Sequence, residues 1–228
     1  MGVPRLFPWT KKTFPNRVKN VREPIWTDHL YIDSNAFIHN AAQIVYGYGT
    51  RTVPGNEKYA YLSPEEKRVE VFRLYWQTVE EYMDVLTKPR LSVFIAIDGT
   101  APIAKQAQQR QRRFMGAVAP SLPPPIPSFL RPSSPEPSDR PLAERFDTSN
   151  ITPGTVFMLE LSRYVHLRIR ERLQANGTGP SIIFSPFNHP GEGEHKIMDW
   201  VRGLPPYNMN NDYHVMVGPD GDLIMLTL

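Results

Sequence analysis

Apolar residues occur along the chain in four short runs, each followed by a turn or by a segment with helical spacing. The runs are HLYI at 29–32, LSVFIAI at 91–97, SIIFSPF at 181–187 and YHVMVG at 213–218. Continuous apolar runs of this length are typical of strands that are covered on both faces. They predict four strands of a mostly parallel sheet.

The segments between these runs have the 3.6-residue periodicity of amphipathic helices. Helices are predicted at 35–46, 64–86, 101–114 and 152–173. Ser63 is a predicted N-cap, with Pro64 at the first helical position and Glu66 completing a capping box. Thr152 and Pro153 are predicted to start the last of these helices. Alternating strands and helices predict an α/β fold, with helices on both faces of a mostly parallel central sheet.

Composition favours one domain over the whole chain, residues 1–228. With 228 residues and 40% hydrophobic content, the chain is long enough to bury a substantial core. Residues 116–142 differ from the rest, because they contain nine prolines among small and polar residues. This stretch is predicted to be a flexible insert in the domain.

Cysteine and charge limit the kinds of chemistry. The sequence has no cysteine, which excludes disulfides and thiolate sites and is consistent with a reducing compartment. No apolar run is long enough to span a bilayer, and no secretory signal is recognisable. We therefore expect an intracellular protein without a membrane partner, in the cytoplasm rather than the nucleus. The net charge of +3 is weak evidence for a nucleic-acid partner.

Carboxylates follow all four predicted strands. They are Asp33, Asp98, Glu192, Glu194, Asp220 and Asp222. Because ligands of open α/β sheets bind outside the carboxyl ends of the strands, we expect all six at one edge. Two like charges about 4 Å apart repel by roughly 4 kcal/mol at an effective dielectric of 20, so the cluster needs cations or protons.

Oxygen ligands favour Mg²⁺ or Mn²⁺ over zinc, and six acids exceed what one such ion usually recruits. A site with two ions, acting on a phosphodiester, is the predicted chemistry. The alternative is that these acids are helix caps and turn residues, which are common at such positions.

A basic helix is predicted directly after the second strand. Lys105, Gln109 and Arg112 share one face of it, with Arg113 beside them, and this face could hold a phosphate. A basic face can equally be merely solvated. His39, two turns into the first helix, is either structural or a platform on which a base stacks. A structural role alone is predicted for the other histidines, His29, His166, His189, His195 and His214.

Six motifs, taken in order, resemble those of the Xrn-type 5′-to-3′ exoribonucleases. They are MGVPRLFPW, YIDSNAFIHN, IAIDGTAPIAKQAQQRQRRF, FDTSNITPGTVFM, PGEGEHKIMDW and GPDGDLIML. Together they span nearly the whole chain apart from the proline-rich stretch. The resemblance implies a PIN-like nuclease core that degrades single-stranded RNA processively from a 5′-monophosphate.

The resemblance also implies roles for the candidate residues. The six carboxylates would be catalytic and would bind Mg²⁺ or Mn²⁺, with two ions expected. Lys105, Gln109, Arg112 and Arg113 would form the pocket for the 5′-monophosphate, and His39 would stack on the first base.

The sequence also departs from the family pattern. A further aspartate and an aromatic stacking partner that the family has downstream are not in this sequence, so we expect the downstream part of the catalytic region to be missing. Pro219 and Gly221 replace the commoner Leu and Ala. The missing region leaves open a non-catalytic component that binds RNA ends. A related structure-specific DNA nuclease also stays open, because the same metal chemistry serves DNA.

Overall fold

The computed structural model describes residues 5–48, 56–103, 105–107, 110–111, 146–177 and 179–227. Four strands form one sheet in this part of the chain, and every neighbouring pair is parallel. The strands are β1 (Ile25–Asp33), β2 (Thr87–Ala96), β3 (Ser181–Ser185) and β4 (His214–Val217). Their order in the sheet is β3-β2-β1-β4. The predicted parallel sheet is confirmed, and the proline-rich stretch at 116–142 lies outside the described residues.

Helices precede, connect and follow the strands. They are α1 (Leu6–Thr13), α2 (Asn35–Tyr46), α3 (Pro64–Glu81), α4 (Val156–Asn176), α5 (Gly193–Arg202), α6 (Pro206–Asn211) and α7 (Asp222–Leu226). Short 3₁₀ turns lie at Pro15–Arg17, Asn56–Tyr61 and Thr148–Asn150, and a π-helical turn spans Tyr82–Leu86. Residues 105–107 are helical. None of the helices described is long and apolar enough to cross a membrane.

Side chains alternate across the strands and so build two apolar layers. Leu30 and Ile32 of β1 belong to the larger core, which α2, α3 and α4 cover on one face of the sheet. Tyr31, between them, lies in a smaller cluster with Phe94 of β2 and Ile197 of α5. Helices therefore pack on both faces, as the sequence predicts.

The helix starts follow local capping chemistry. The Ser63 hydroxyl accepts from the Glu66 backbone N–H at 3.2 Å, and the Glu66 carboxylate accepts from the Ser63 N–H at 2.8 Å, so the predicted capping box is confirmed. The predicted start at Thr152 is wrong. Helix α4 begins at Val156, and its N-cap is Thr155.

Candidate metal and nuclease site

The carboxyl ends of β1 and β2 bring two predicted site residues together. Asp33 is the last residue of β1 and pairs in register with Ala96, and Asp98 lies two residues beyond Ala96. Gly193, at the start of α5, packs against both acids. A Cβ added to this glycine would clash with Oδ1 of Asp33 and would lie 3.4 Å from Oδ1 of Asp98. The two strand ends and one helix start thus meet at a single point.

The loop before α5 is fixed to the loop after β2 by the backbone. Gly99 N–H donates to Gly191 O at 2.8 Å, and Gly191 N–H donates to Thr100 O at 3.0 Å. A Cβ at Gly99 would collide with the carbonyl oxygen of His189, so this approach requires glycine. Gly191 has φ +101°, a conformation that also favours glycine. These glycines set where α5 begins.

The start of α5 carries two further predicted acids. Glu192 is the N-cap residue and Glu194 lies in the first turn. Both are nearly inaccessible, with 5% and 9% of their surface exposed. A helix N-terminus favours negative charge, which offsets part of the cost of placing these carboxylates there.

Burial, and to a smaller extent mutual repulsion, raise the pKa values of these acids. Burial, followed by the charges of Asp98 and Glu194, raises the pKa of Asp33 to about 7. Burial raises the pKa of Asp98 as well, against the lowering effect of the Gly193 N–H. The pKa of Glu194 is raised by burial, with a smaller contribution from Glu192. Keeping all of these carboxylates ionised at once therefore costs free energy.

Asp220 and Asp222 follow β4, as the sequence predicts. Asp220 is exposed, yet its charge contributes to raising the pKa values of Asp33 and Glu194, so it lies close to the cluster. Gly218 places the β4 end beside Asp33, because an added Cβ there would lie 3.3 Å from Asp33 Cβ. Asp222 is the first residue of α7, and its side chain lies outside the described part of the structure.

Among the residues that the structure describes, two buried carboxylate oxygens of this cluster have no hydrogen-bond partner, Oδ1 of Asp33 and Oε1 of Glu192. An orphaned buried acceptor is costly unless a cation or a proton satisfies it. Together with the raised pKa values, the two oxygens fit a site for a divalent cation with oxygen ligands. Ligand atoms of Glu192, Glu194 and His195 also lie within 4.8 Å of one another.

Sequence reasoning missed two neighbours of these acids. His195, for which a purely structural role was predicted, places Nδ1 3.6 Å from Glu194 Oε1. Lys196 is buried and donates to Ile97 O at 2.7 Å and to Pro186 O at 2.9 Å. Its ammonium ties the segment after β2 to the segment after β3, and burial lowers its pKa to about 8. The signal for both was their position beside Glu194 in the EGEHK stretch.

The basic helix contributes one described cation to the site. The Lys105 ammonium forms an ion pair with Oε2 of Glu192. Burial acts to lower the pKa of Lys105, but the hydrogen bond to Glu192 and the surrounding acids raise it overall. Gln109, Arg112 and Arg113, the other members of the predicted phosphate pocket, lie outside the described residues.

His39 lies in α2, half-buried, and burial lowers its pKa. Among the hydrogen bonds and ion pairs of the described residues, none joins it to the carboxylates. Its predicted stacking role stays a prediction.

Comparison with known proteins covers the full sequence. A family model for the XRN 5′-3′ exonuclease N-terminus matches residues 1–228. The chain is 34% identical over 236 residues to 5′-3′ exoribonuclease 1 of Schizosaccharomyces pombe, covering all of this chain and 16% of that protein. It is 33% identical over 259 residues to the 5′-3′ exoribonuclease 2 homolog of Drosophila melanogaster, covering 100% of this chain and 27% of that one. Identity to human 5′-3′ exoribonuclease 1 is 32% over 238 residues, which cover 100% of this chain and 12% of the human protein.

Proposed function

The chain belongs to the XRN 5′-3′ exonuclease family, and from that premise we propose that it is a divalent-metal-dependent 5′-to-3′ exoribonuclease acting on RNA with a 5′-monophosphate end. Its sequence spans between 12% and 27% of the length of the three relatives named above. The observation that carries the proposal is the meeting of Asp33, Asp98 and Gly193 at one point, where a buried Asp33 oxygen has no hydrogen-bond partner among the described residues.

The acids have the role of holding cations. Asp33, Asp98, Glu192, Glu194, Asp220 and Asp222 would share this task, and their number favours two ions. When bound, Mg²⁺ or Mn²⁺ would supply Lewis acidity toward the phosphodiester oxygens and the attacking water. The protein's own contribution is the fixed geometry. Backbone bonds between the loops at Gly99 and Gly191, and the Gly193 N–H on Asp98, hold the carboxylates before any ligand arrives.

The substrate end would be recognised by the basic helix. Lys105 lies at the same edge of the sheet as the acids, since it contacts Glu192. Its compact ammonium is suited to a terminal phosphate, and Gln109, Arg112 and Arg113 would complete the pocket. A 5′-monophosphate carries more charge than an internal phosphodiester, so such a pocket would favour ends over internal positions. His39 would stack on the first base.

A degradation assay tests this function. RNA with a 5′-monophosphate and RNA with a 5′-triphosphate are incubated with the chain, with Mg²⁺ or with EDTA. We expect loss of the monophosphorylated RNA from its 5′ end in Mg²⁺ only, and no loss with Asp98→Ala. Asp199→Ala, which removes an exposed acid of α5, is the matched control and should retain activity.

Equal degradation of both RNAs, or full activity of Asp98→Ala, would refute the proposal. Binding that is selective for the monophosphate, without turnover even in Mn²⁺, would instead support the non-catalytic component that binds RNA ends. Preference for a nicked or flapped DNA duplex over single-stranded RNA would support the DNA nuclease.

A further inference from the structure

The ion pair between Lys105 and Glu192 joins the two halves of the candidate site. The carboxylate is nearly inaccessible, with 6% of its side-chain surface exposed, while 29% of the Lys105 side chain is exposed. The other oxygen of the same carboxylate, Oε1, is buried and has no hydrogen-bond partner in the described part of the chain. Among the described residues, the Lys105 ammonium thus pairs with only one of the two carboxylate oxygens of Glu192.

Each partner of this pair has a second task in the proposed function. Glu192 is one of the acids that would hold a divalent cation, and Lys105 is one of the donors for the 5′-phosphate. An ammonium and a divalent cation are both positive, so they compete for one carboxylate. A carboxylate and a phosphate are both negative, so they compete for one ammonium.

The side chain of Lys105 has the length and exposure that a change of partner requires. The backbone N–H of Lys105 donates to Pro102 O at 2.9 Å, and this bond holds the Lys105 backbone at the beginning of the helical stretch. The ammonium lies at the end of a flexible four-carbon chain with three donors, and its partial exposure gives it room to turn. Glu192, in contrast, is fixed as the N-cap residue of α5.

We propose that the Lys105–Glu192 ion pair couples cation binding to 5′-phosphate binding, because each ligand releases the partner that the other ligand needs. The coupling rests on the proposed function, and it adds to that function positive cooperativity between the cation and the 5′-phosphate. A cation on Glu192 frees Lys105 for the phosphate, and a phosphate on Lys105 frees Glu192 for the cation. Linkage requires the two effects to be equal in equilibrium terms. In the free protein, Lys105 and Glu192 pair with each other, and this pairing weakens binding of both ligands.

One test asks whether Glu192 restrains Lys105 when no cation is present. Binding of adenosine 5′-monophosphate is measured by calorimetry in EDTA for wild type, Glu192→Gln and Glu194→Gln. Both substitutions remove one negative charge from the same cluster, but only the first removes the partner of Lys105. We expect Glu192→Gln to bind the nucleotide about tenfold more tightly than wild type. The affinity of Glu194→Gln for the nucleotide should exceed that of wild type by no more than about threefold. Adenosine, which lacks the phosphate, should bind equally to all three.

The reciprocal test uses Mn²⁺ alone, with Lys105→Met and Arg110→Met. Both remove a cation from the basic helix, and Arg110 is exposed. Mn²⁺ should bind Lys105→Met about five- to tenfold more tightly than wild type, while Arg110→Met should change the affinity by less than about twofold. Thermal unfolding shows whether each variant is folded. If Glu192→Gln does not fold, the Mn²⁺ titrations of Lys105→Met and Arg110→Met alone decide the test.

The outcomes separate the coupling from the function beneath it. If wild type in Mn²⁺ does not prefer adenosine 5′-monophosphate over adenosine, recognition of the 5′-phosphate fails and the coupling fails with it. If that preference holds but Lys105→Met and Arg110→Met bind Mn²⁺ alike, or Glu192→Gln and Glu194→Gln bind the nucleotide alike, the coupling alone is overturned.

Discussion

The backbone N–H of Gly193 donates a hydrogen bond of 2.7 Å to Oδ1 of Asp98. It joins the first residue of α5 to an acid 95 residues earlier in the chain, just after β2. Burial raises the pKa of Asp98 overall, and this bond offsets part of that rise. One carboxylate of the candidate site is therefore oriented by the peptide backbone of the helix that carries two others.

The space around Gly193 leads to the first prediction. Gly193→Ala would drive a Cβ into Oδ1 of Asp33, with Asp33 Cγ at 3.2 Å, so the carboxylate must move. We expect a loss of about 1–3 kcal/mol in the free energy of unfolding, and weaker binding of Mn²⁺. Urea denaturation and calorimetric titration measure the two effects.

Gly179→Ala is the matched control for this substitution. An added Cβ there would meet no atom of the described residues within 4 Å, and the backbone has no left-handed conformation to strain. This variant should keep the stability and the Mn²⁺ affinity of wild type. If Gly193→Ala behaves the same way, the close packing of Gly193 on Asp33 is refuted.

The raised pKa of Asp33 leads to a pH dependence. Its value moves from 3.8 to about 7 on folding, so between these values the folded chain binds more protons than the unfolded chain. The stability of the metal-free chain therefore falls as pH rises through this window. Asp33→Asn should be more stable than wild type at pH 8 in EDTA, by up to roughly 4 kcal/mol, and the difference should nearly vanish near pH 4.

Urea denaturation of both proteins at a series of pH values measures this effect. Asp199→Asn, which changes an acid with 79% of its side chain exposed, should follow the wild-type curve. If the unfolding free energies of Asp33→Asn and wild type ran parallel from pH 4 to pH 8, folding would not raise the pKa of Asp33.

His195 leads to a prediction on metal preference. Its imidazole lies beside Glu194, and imidazole suits transition metals better than Mg²⁺. His195→Ala should weaken Mn²⁺ binding about threefold or more and leave Mg²⁺ binding nearly unchanged. His166→Ala, which removes an exposed imidazole against Phe184, should change neither affinity. An unchanged Mn²⁺ affinity would exclude His195 as a ligand, and equal losses for both metals would contradict the predicted preference.

Much of the fold and part of the site follow from local patterns in the sequence. Apolar runs that end at Asp33 and Asp98 place these acids correctly, because parallel strands carry whatever follows them to one edge of the sheet. The capping box at Ser63 is also local, since its two hydrogen bonds join residues three positions apart.

Other features depend on three-dimensional packing or on backbone conformation. The Lys105–Glu192 pair spans 87 positions and the Lys196 bond to Ile97 O spans 99, so no local pattern indicates them. The start of α4 was misplaced because Thr152 and Pro153 have the composition of a helix start. Gly154 then adopts φ +92°, which the helix cannot include, and Thr155 becomes the cap.

Calorimetric titration of the chain with Mn²⁺ tests most directly whether the gathered acids form a cation site. Wild type should show saturable binding, and Asp98→Asn, which keeps the size of the side chain but removes its charge, should bind at least about tenfold more weakly. Asp199→Asn should bind like wild type. Wild type that binds no Mn²⁺, or Asp98→Asn with wild-type affinity, would contradict the account.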